Sequence, residues 1–170
     1  AWTLVDDRAR ALLEKIRHAG VPLGEYVGGK IYRGVLTGLN EAFVIDAETR
    51  DRLIAQDPNS AELIKPFLPG RAINRYCLPK RERYLIFARR GVDINNYPAI
   101  KEHLANYRQQ LSPKPPDWRG EKWPGRKPGP YKWYEIQDSI DYYEEFEKPK
   151  IIYPNICKRP EFTFDTSCLY

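Results

Sequence analysis

The sequence predicts an α+β domain in which short strands are combined with helices of ordinary length. One observation is an apolar stripe at helical spacing, formed by Ala9, Leu12, Leu13 and Ile16. A second is the segment RYLIFARR, which predicts a strand over residues 83–89, because an apolar centre between basic ends is typical of a core strand that reaches a charged surface. A chain of 170 residues is long enough for one domain with a buried core.

Turn and capping residues organise the first half of the chain. The stretch GVLTGLNEAFVID, residues 34–46, places two glycines and Thr37 ahead of the apolar run 43–45, and predicts a tight turn that leads into a strand. Asp46 suits the N-cap of a helix over 47–55. The other elements predicted here are a helix over 6–18, a strand over 30–33, a short helix over 61–65 and a strand over 72–76.

The second half contains the clearest helix of the chain. Apolar residues recur at three and four positions from Tyr97 to Leu111, which predicts that this face is core. The following segment, residues 112–130, is too rich in proline and glycine for regular structure, but Trp118 and Trp123 predict an ordered, docked loop. The remaining predictions are a strand-like segment over 131–136, a short acidic helix over 139–146, and strands that begin at residues 149 and 161.

The charge of the chain is unevenly distributed. The net charge is +5, but the segment 65–90 alone carries eight basic residues and one acid, Glu82. Five acidic residues between positions 138 and 147 offset this excess. Such asymmetry indicates a polyanion on one face. The alternative is a solvated edge whose cations pair with the acidic segment.

The motifs of several enzyme classes are absent from the sequence. It contains no GxGxxG, GxxxxGK[ST], GxSxG or HExxH, and no lysine has an acid two residues before it, as a magnesium nuclease motif requires. Cys77, Cys157 and Cys168 are too scattered for a disulfide framework or a zinc knuckle, and His18 and His103 lack a partner at metal-ligand spacing. We therefore expect no catalysis, cofactor or metal in this chain.

The cysteine usage fits a reducing, cytoplasmic setting. No apolar window is long enough for a membrane span, and no leader opens the chain. The chain begins at Ala1 and lacks methionine, so we expect it to be a piece of a longer protein.

Basic residues near strand ends are interleaved with aromatic residues, as on surfaces that neutralise phosphates and probe base edges. Arginine is suited to bidentate contact with guanine and asparagine to adenine. The candidates for such contacts are Asn40, Arg71, Arg75, Arg89 and Arg90.

Five segments occur in an order and spacing that resemble a known family. They are GVLTGLNEAFVID (34–46), IKPFLPGRAINRY (64–76), YLIFARRGVDINNYPAIKEHL (84–104), KWYEIQD (132–138) and KPKIIYPNICKRPEFTFD (148–165). Together they look like the TaqI-like specificity domain of adenine-specific DNA methyltransferases, including fused Type IIG restriction-modification enzymes. The resemblance spans roughly residues 20–170.

The resemblance implies a target-recognition domain that holds duplex DNA against a separate catalytic domain. That domain would flip an adenine and methylate it from S-adenosylmethionine. The Asn-Pro-Pro-aromatic loop of the family's catalytic domain is absent here, so the activity, with or without DNA cleavage, would belong to the parent protein. Residues 1–20 would be a helix or linker from the upstream catalytic domain in the same polypeptide, and 21–170 a target-recognition domain that is truncated at its C-terminus.

The resemblance also implies an irregular, coiled mixed sheet, half-barrel-like or β-helix-like, with flanking helices. Its matched segments and the basic pattern together give thirteen candidate DNA-binding residues: Thr37, Asn40, Lys65, Arg71, Arg75, Arg89, Arg90, Lys132, Trp133, Tyr134, Lys148, Lys150 and Tyr153. A protein-interaction or structural domain with a basic surface remains the alternative.

Overall fold

Residues 6–77 and 82–170 are described by the computed structural model. The chain separates into two units, Ala1–Arg33 and Gly34–Tyr170. This division falls later than the boundary predicted at residue 20. Two residues counted in the basic segment, Lys80 and Arg81, lie outside the described residues.

The first unit contains helices α1 (Asp7–Ala19) and α2 (Leu23–Tyr26). The predicted helix over 6–18 is therefore confirmed. It begins where the Asp6 carboxylate accepts hydrogen bonds from two backbone amides of the first turn, the closer at 2.7 Å.

A three-stranded antiparallel sheet lies at the centre of the second unit. Its strands are β1 (Val44–Ile45), β2 (Ile64–Phe67) and β3 (Arg83–Ile86), in the order β1-β3-β2. Leu85 of the central strand pairs with both neighbours and is fully buried. The apolar centre of RYLIFARR therefore forms the core strand that the sequence predicts.

Short helices surround this sheet. They are α3 (Asn40–Phe43), α4 (Ala47–Gln56), α5 (Ser60–Leu63), α6 (Pro98–Ala105) and α7 (Arg108–Leu111), with 3-10 turns at Gly70–Ala72, Ile94–Asn96 and Tyr143–Glu147. The predicted cap of α4 is confirmed, because the Asp46 carboxylate accepts from the Thr49 amide at 2.8 Å. The predicted helix over 97–111 occurs as α6 and α7, and its Ile100, Leu104 and Leu111 are fully buried as expected.

A second antiparallel sheet consists of β4 (Lys150–Ile152) and β5 (Thr163–Asp165), in which Ile151 lies opposite Phe164. The α+β class is thus confirmed. In the described parts of the chain the strands form two small antiparallel sheets, and neither closes into a barrel.

Three predicted strands are wrong. Residues 30–33 form neither a strand nor a helix in the structure. Residues 72–76 leave a 3-10 turn and enter a turn in which Tyr76 has a φ of +61°, which no strand accommodates. Residues 131–136 turn inward because their carbonyl groups bind the side chain of Arg126.

Two further elements differ in type. Phe43 ends helix α3 instead of starting a strand, and the predicted acidic helix over 139–146 is a 3-10 turn at Tyr143–Glu147. Ser139 does not cap it, since its hydroxyl donates to the Asp141 carboxylate at 2.8 Å.

Candidate nucleic-acid interface

Arg126 is the buried centre of the scaffold that carries the candidate residues. Its side chain is only 4% exposed although it comes from the Pro/Gly-rich segment 112–130, called here the tryptophan loop. Its guanidinium donates to five backbone carbonyl oxygens: Leu111 at 2.7 Å, Thr37 at 3.0 Å, Lys132 at 3.2 Å, Trp133 at 3.0 Å and Glu135 at 2.7 Å. One side chain therefore ties three segments that are distant in sequence.

The electrostatic state of Arg126 fits a structural role. Burial lowers its pKa to about 10, and the charge of Arg90 acts in the same direction. The guanidinium therefore stays charged at neutral pH. Its charge is stabilised by the inward carbonyls and by the Tyr131 ring, whose centroid lies 4.4 Å from the guanidinium carbon.

The tryptophan loop is ordered and docked, as the sequence predicts. The Trp123 indole donates to the Ser112 carbonyl oxygen at 3.1 Å, and Trp118 packs edge-on against it with ring centroids 5.0 Å apart. The loop is thus held in place by the two packed indoles and by the hydrogen bonds of Arg126.

The turn at residues 37–40 is packed against this centre. Thr37 is 1% exposed, and its hydroxyl donates to the Asn40 side-chain oxygen at 2.7 Å and accepts from the Leu39 amide at 3.2 Å. The Thr37 side chain is consequently part of the turn and is not presented to a ligand. Asn40 is exposed. Its side-chain oxygen accepts the hydrogen bond from Thr37, and its side-chain nitrogen makes no hydrogen bond to a described residue.

Arg90 has a second structural role at the same place. Its guanidinium donates to the carbonyl oxygens of Ile136 and Gln137, the latter at 2.6 Å, and lies 3.8 Å from the buried carboxylate of Glu135. Tyr134 is buried in the core. Both candidates therefore support residues 131–137 from inside.

Three candidate lysines form ion pairs within the protein. Lys65 lies 3.3 Å from Glu147, Lys148 lies 2.7 Å from Glu145, and Lys150 lies 2.5 Å from the fully buried Asp165. Of these three pairs, only the Lys65–Glu147 pair joins the basic segment 65–90 to the acidic segment, as the alternative interpretation expects. The pKa of Glu147 is lowered by its hydrogen bond from Tyr170 and then by Lys65.

Four cationic candidates are exposed instead. Arg71, Arg75, Arg89 and Lys132 make no ion pair within the described ranges. Arg89 stacks over the Tyr143 ring at 4.5 Å, and Arg75 donates to the Pro160 carbonyl oxygen at 3.3 Å. These contacts orient the guanidinium groups and leave their charge uncompensated.

The remaining aromatic candidates differ in exposure. Trp133 is half-buried under Arg108, whose guanidinium carbon lies 4.5 Å from the ring centroid. Tyr153 is 43% exposed and packs against Phe162 with ring centroids 5.5 Å apart.

Tyr153 belongs to an exposed apolar surface that the sequence reasoning missed. This surface, called here the hairpin face, consists of Tyr76, Ile151, Tyr153, Phe162 and Phe164. The alternation of EFTFD was visible in the sequence, but it does not say which face is buried. In the structure Thr163 and Asp165 point inward and the two phenylalanines outward.

No group of three or more histidine, cysteine, aspartate or glutamate side chains able to hold a metal ion occurs in residues 6–77 and 82–170. Within the same residues no helix is both long enough and apolar enough to cross a membrane.

No protein-family model and no curated protein matches the sequence. The family resemblance therefore rests on the five segments quoted above.

Proposed function

We propose that this chain is the DNA target-recognition domain of an adenine-N6 DNA methyltransferase or restriction-modification enzyme. The observation that carries the proposal is the set of four exposed cations that have no carboxylate within ion-pair distance among the described residues, Arg71, Arg75, Arg89 and Lys132. The five family-like segments support it, because these cations lie in or beside them.

In this proposal the cations neutralise phosphates, and a minority of side chains reads base edges. Arginine can pair bidentately with guanine, which makes Arg71, Arg75 and Arg89 the candidates for direct readout, with Asn40 for adenine. Arg126 and Arg90 would act indirectly by holding the backbone that carries Lys132 and Trp133.

The catalytic step belongs, in the same proposal, to a methyltransferase domain upstream in the same polypeptide. That domain would bind S-adenosylmethionine, and this chain would bind duplex DNA without a cofactor of its own. The setting would be the cytoplasm, where the thiols of Cys77, Cys157 and Cys168 remain reduced.

Salt dependence of duplex binding tests the proposal. If the four exposed cations each meet a phosphate, the association constant should fall by about a hundredfold between about 50 and about 200 mM salt, since each contact contributes about 0.9 to the logarithmic slope. Fluorescence anisotropy with a labelled duplex library measures this slope. A wild-type chain that binds no duplex, or binds one with no salt dependence, contradicts the proposal.

A second candidate function is a protein-interaction domain with a basic surface. The internal pairing of Lys65, Lys148 and Lys150 favours it, because these pairs reduce the charge available to a polyanion. Competition by duplex DNA for the basic surface distinguishes the two functions. Duplex DNA should displace an acidic protein partner if the exposed arginines bind DNA, and should fail to displace it if they bind only protein.

A further inference from the structure

We infer that the hairpin face, Tyr76, Ile151, Tyr153, Phe162 and Phe164, is a stacking surface for unpaired bases of the bound DNA. This inference rests on the proposed function and adds to it a place where bases that have left the duplex stack would be held.

The first step is that the β4–β5 hairpin buries polar side chains and exposes apolar ones. Its inner face carries Thr163 and Asp165, which are 5% and 0% exposed, whereas Phe164 on the outer face is 61% exposed. Opposite Phe164 lies Ile151, which is 62% exposed. A contiguous exposed apolar surface of this kind indicates a binding site.

The second step is that hydrogen bonds fix which face of the hairpin is buried. The buried Asp165 carboxylate accepts from Lys150 at 2.5 Å, from the Ser167 amide at 2.7 Å and from the Leu169 amide at 2.9 Å. Lys150 also donates to the Phe146 carbonyl oxygen at 2.6 Å, so turning the sheet over would break this bond and expose the buried ion pair. The rings therefore stay outside.

The third step is the addition of a further ring from a separate segment. Tyr76 is 82% exposed, and its amide donates to the Phe162 carbonyl oxygen at 2.9 Å. Its φ of +61° is unfavourable for a tyrosine and is held by this bond. Phe162 in turn contacts Tyr153, so that the rings form one continuous surface.

The fourth step is the charge around the rings. Arg75 donates to the Pro160 carbonyl oxygen beside the face and lies 5.8 Å from the Tyr76 ring centroid. The connection between β4 and β5 adds Lys158 and Arg159 against one acid, Glu161, which pairs with Arg159 at 3.5 Å. The border of the face is therefore net positive.

Aromatic rings beside cations match a ligand that offers both planar faces and phosphates. Paired bases in a duplex present only their edges, so stacking on exposed rings requires single-stranded or locally unpaired nucleic acid. An acidic protein partner would also match the cations, but four exposed rings beside cations favour nucleic acid, because successive bases can stack on the rings while the cations meet phosphates.

Three fluorescein-labelled probes test the inference on the full chain: a single strand, a fully paired duplex, and the same duplex with a central unpaired bubble, each of about 20 nucleotides so that a complete binding site fits. The variants are Tyr153→Leu and Phe164→Leu, which keep the hairpin apolar but remove the ring. Tyr26→Leu, at an exposed tyrosine of the first unit, is the matched control.

Each ring removed should weaken binding of the single strand and the bubble by roughly fivefold to a hundredfold, with little change for the paired duplex. Tyr26→Leu should bind all three probes like the wild type. Phe164→Tyr, which keeps the ring, should also bind like the wild type.

Two results would overturn the inference while leaving the proposed function intact. One is duplex binding by the wild type with unchanged bubble and single-strand affinity in both leucine variants. The other is an equal loss on all three probes. Failure of the wild type to bind any probe would instead overturn the proposed function and the inference together.

Discussion

Arg126 packs against Gly38 so closely that a Cβ atom added at Gly38 would lie 2.7 Å from the Arg126 Cδ. Gly38 also has a φ of +82°, in the left-handed region that favours glycine. The turn at residues 37–40 and the tryptophan loop are therefore matched to each other at this contact.

Gly38→Ala should destabilise the protein by about 2 kcal/mol or more, because backbone strain and overlap with Arg126 and Gln137 add together. Urea unfolding measures the change. Gly91→Ala is the informative control, since Gly91 has a φ of +83° but open space around it. Gly91→Ala should show the effect of backbone strain alone. An equal loss of stability in both variants would contradict a role for the close contacts of Gly38 with Arg126 and Gln137.

Arg126→Lys should destabilise the protein by about 3 kcal/mol or more, although it preserves the charge. A lysine ammonium has three donors and cannot reach five carbonyl oxygens, so some buried acceptors would lose their partners. Denaturant unfolding and the near-ultraviolet dichroism of Trp118 and Trp123 should both change. Arg119→Lys, at an exposed position in the same loop, should leave both unchanged.

Stability should fall on acidification in part because of His103. Burial lowers the pKa of this imidazole, and Arg52 acts in the same direction. The unfolded chain therefore binds a proton at a higher pH than the native chain does, and the free energy of unfolding decreases as pH falls from about 6.5 through the native pKa.

His103→Gln should reduce this pH dependence. The glutamine amide can still donate to the Ala42 carbonyl oxygen, which lies 3.0 Å from His103 Nε2, but it does not titrate. Unfolding curves between about pH 7 and about pH 5 would show it, a range above the titration of ordinary carboxylates. An unchanged pH dependence in His103→Gln would refute the assignment.

Arg71→Gln should weaken duplex binding by roughly eightfold at about 0.1 M salt, and reduce the logarithmic salt slope by about one, if Arg71 meets a phosphate. Lys148→Gln is the matched control, because Lys148 is an exposed cation that pairs with Glu145. It should have a smaller effect. Equal losses in the two variants would show that internal pairing does not decide which cations contact DNA. A loss limited to one base position would instead indicate base readout by Arg71.

Local sequence patterns determined the helices and the strand whose formation depends on residues close together in the sequence. The spacing of apolar residues predicted the helix at 7–19, Asp46 predicted the start of α4, and the apolar run in RYLIFARR predicted the burial of Leu85. These features need only the period of a helix or strand and the hydrogen-bonding capacity of a capping carboxylate.

Tertiary structure alone decided which charged residues are structural. Arg126 binds a carbonyl 89 residues away, and Lys65 pairs with Glu147, 82 residues away, so neither role is visible in a local window. The carbonyls that bind Arg126 also turn residues 131–136 away from the strand that their sequence favours. The physical reason is that a buried guanidinium must satisfy its donors, and only the folded chain brings enough acceptors to one point.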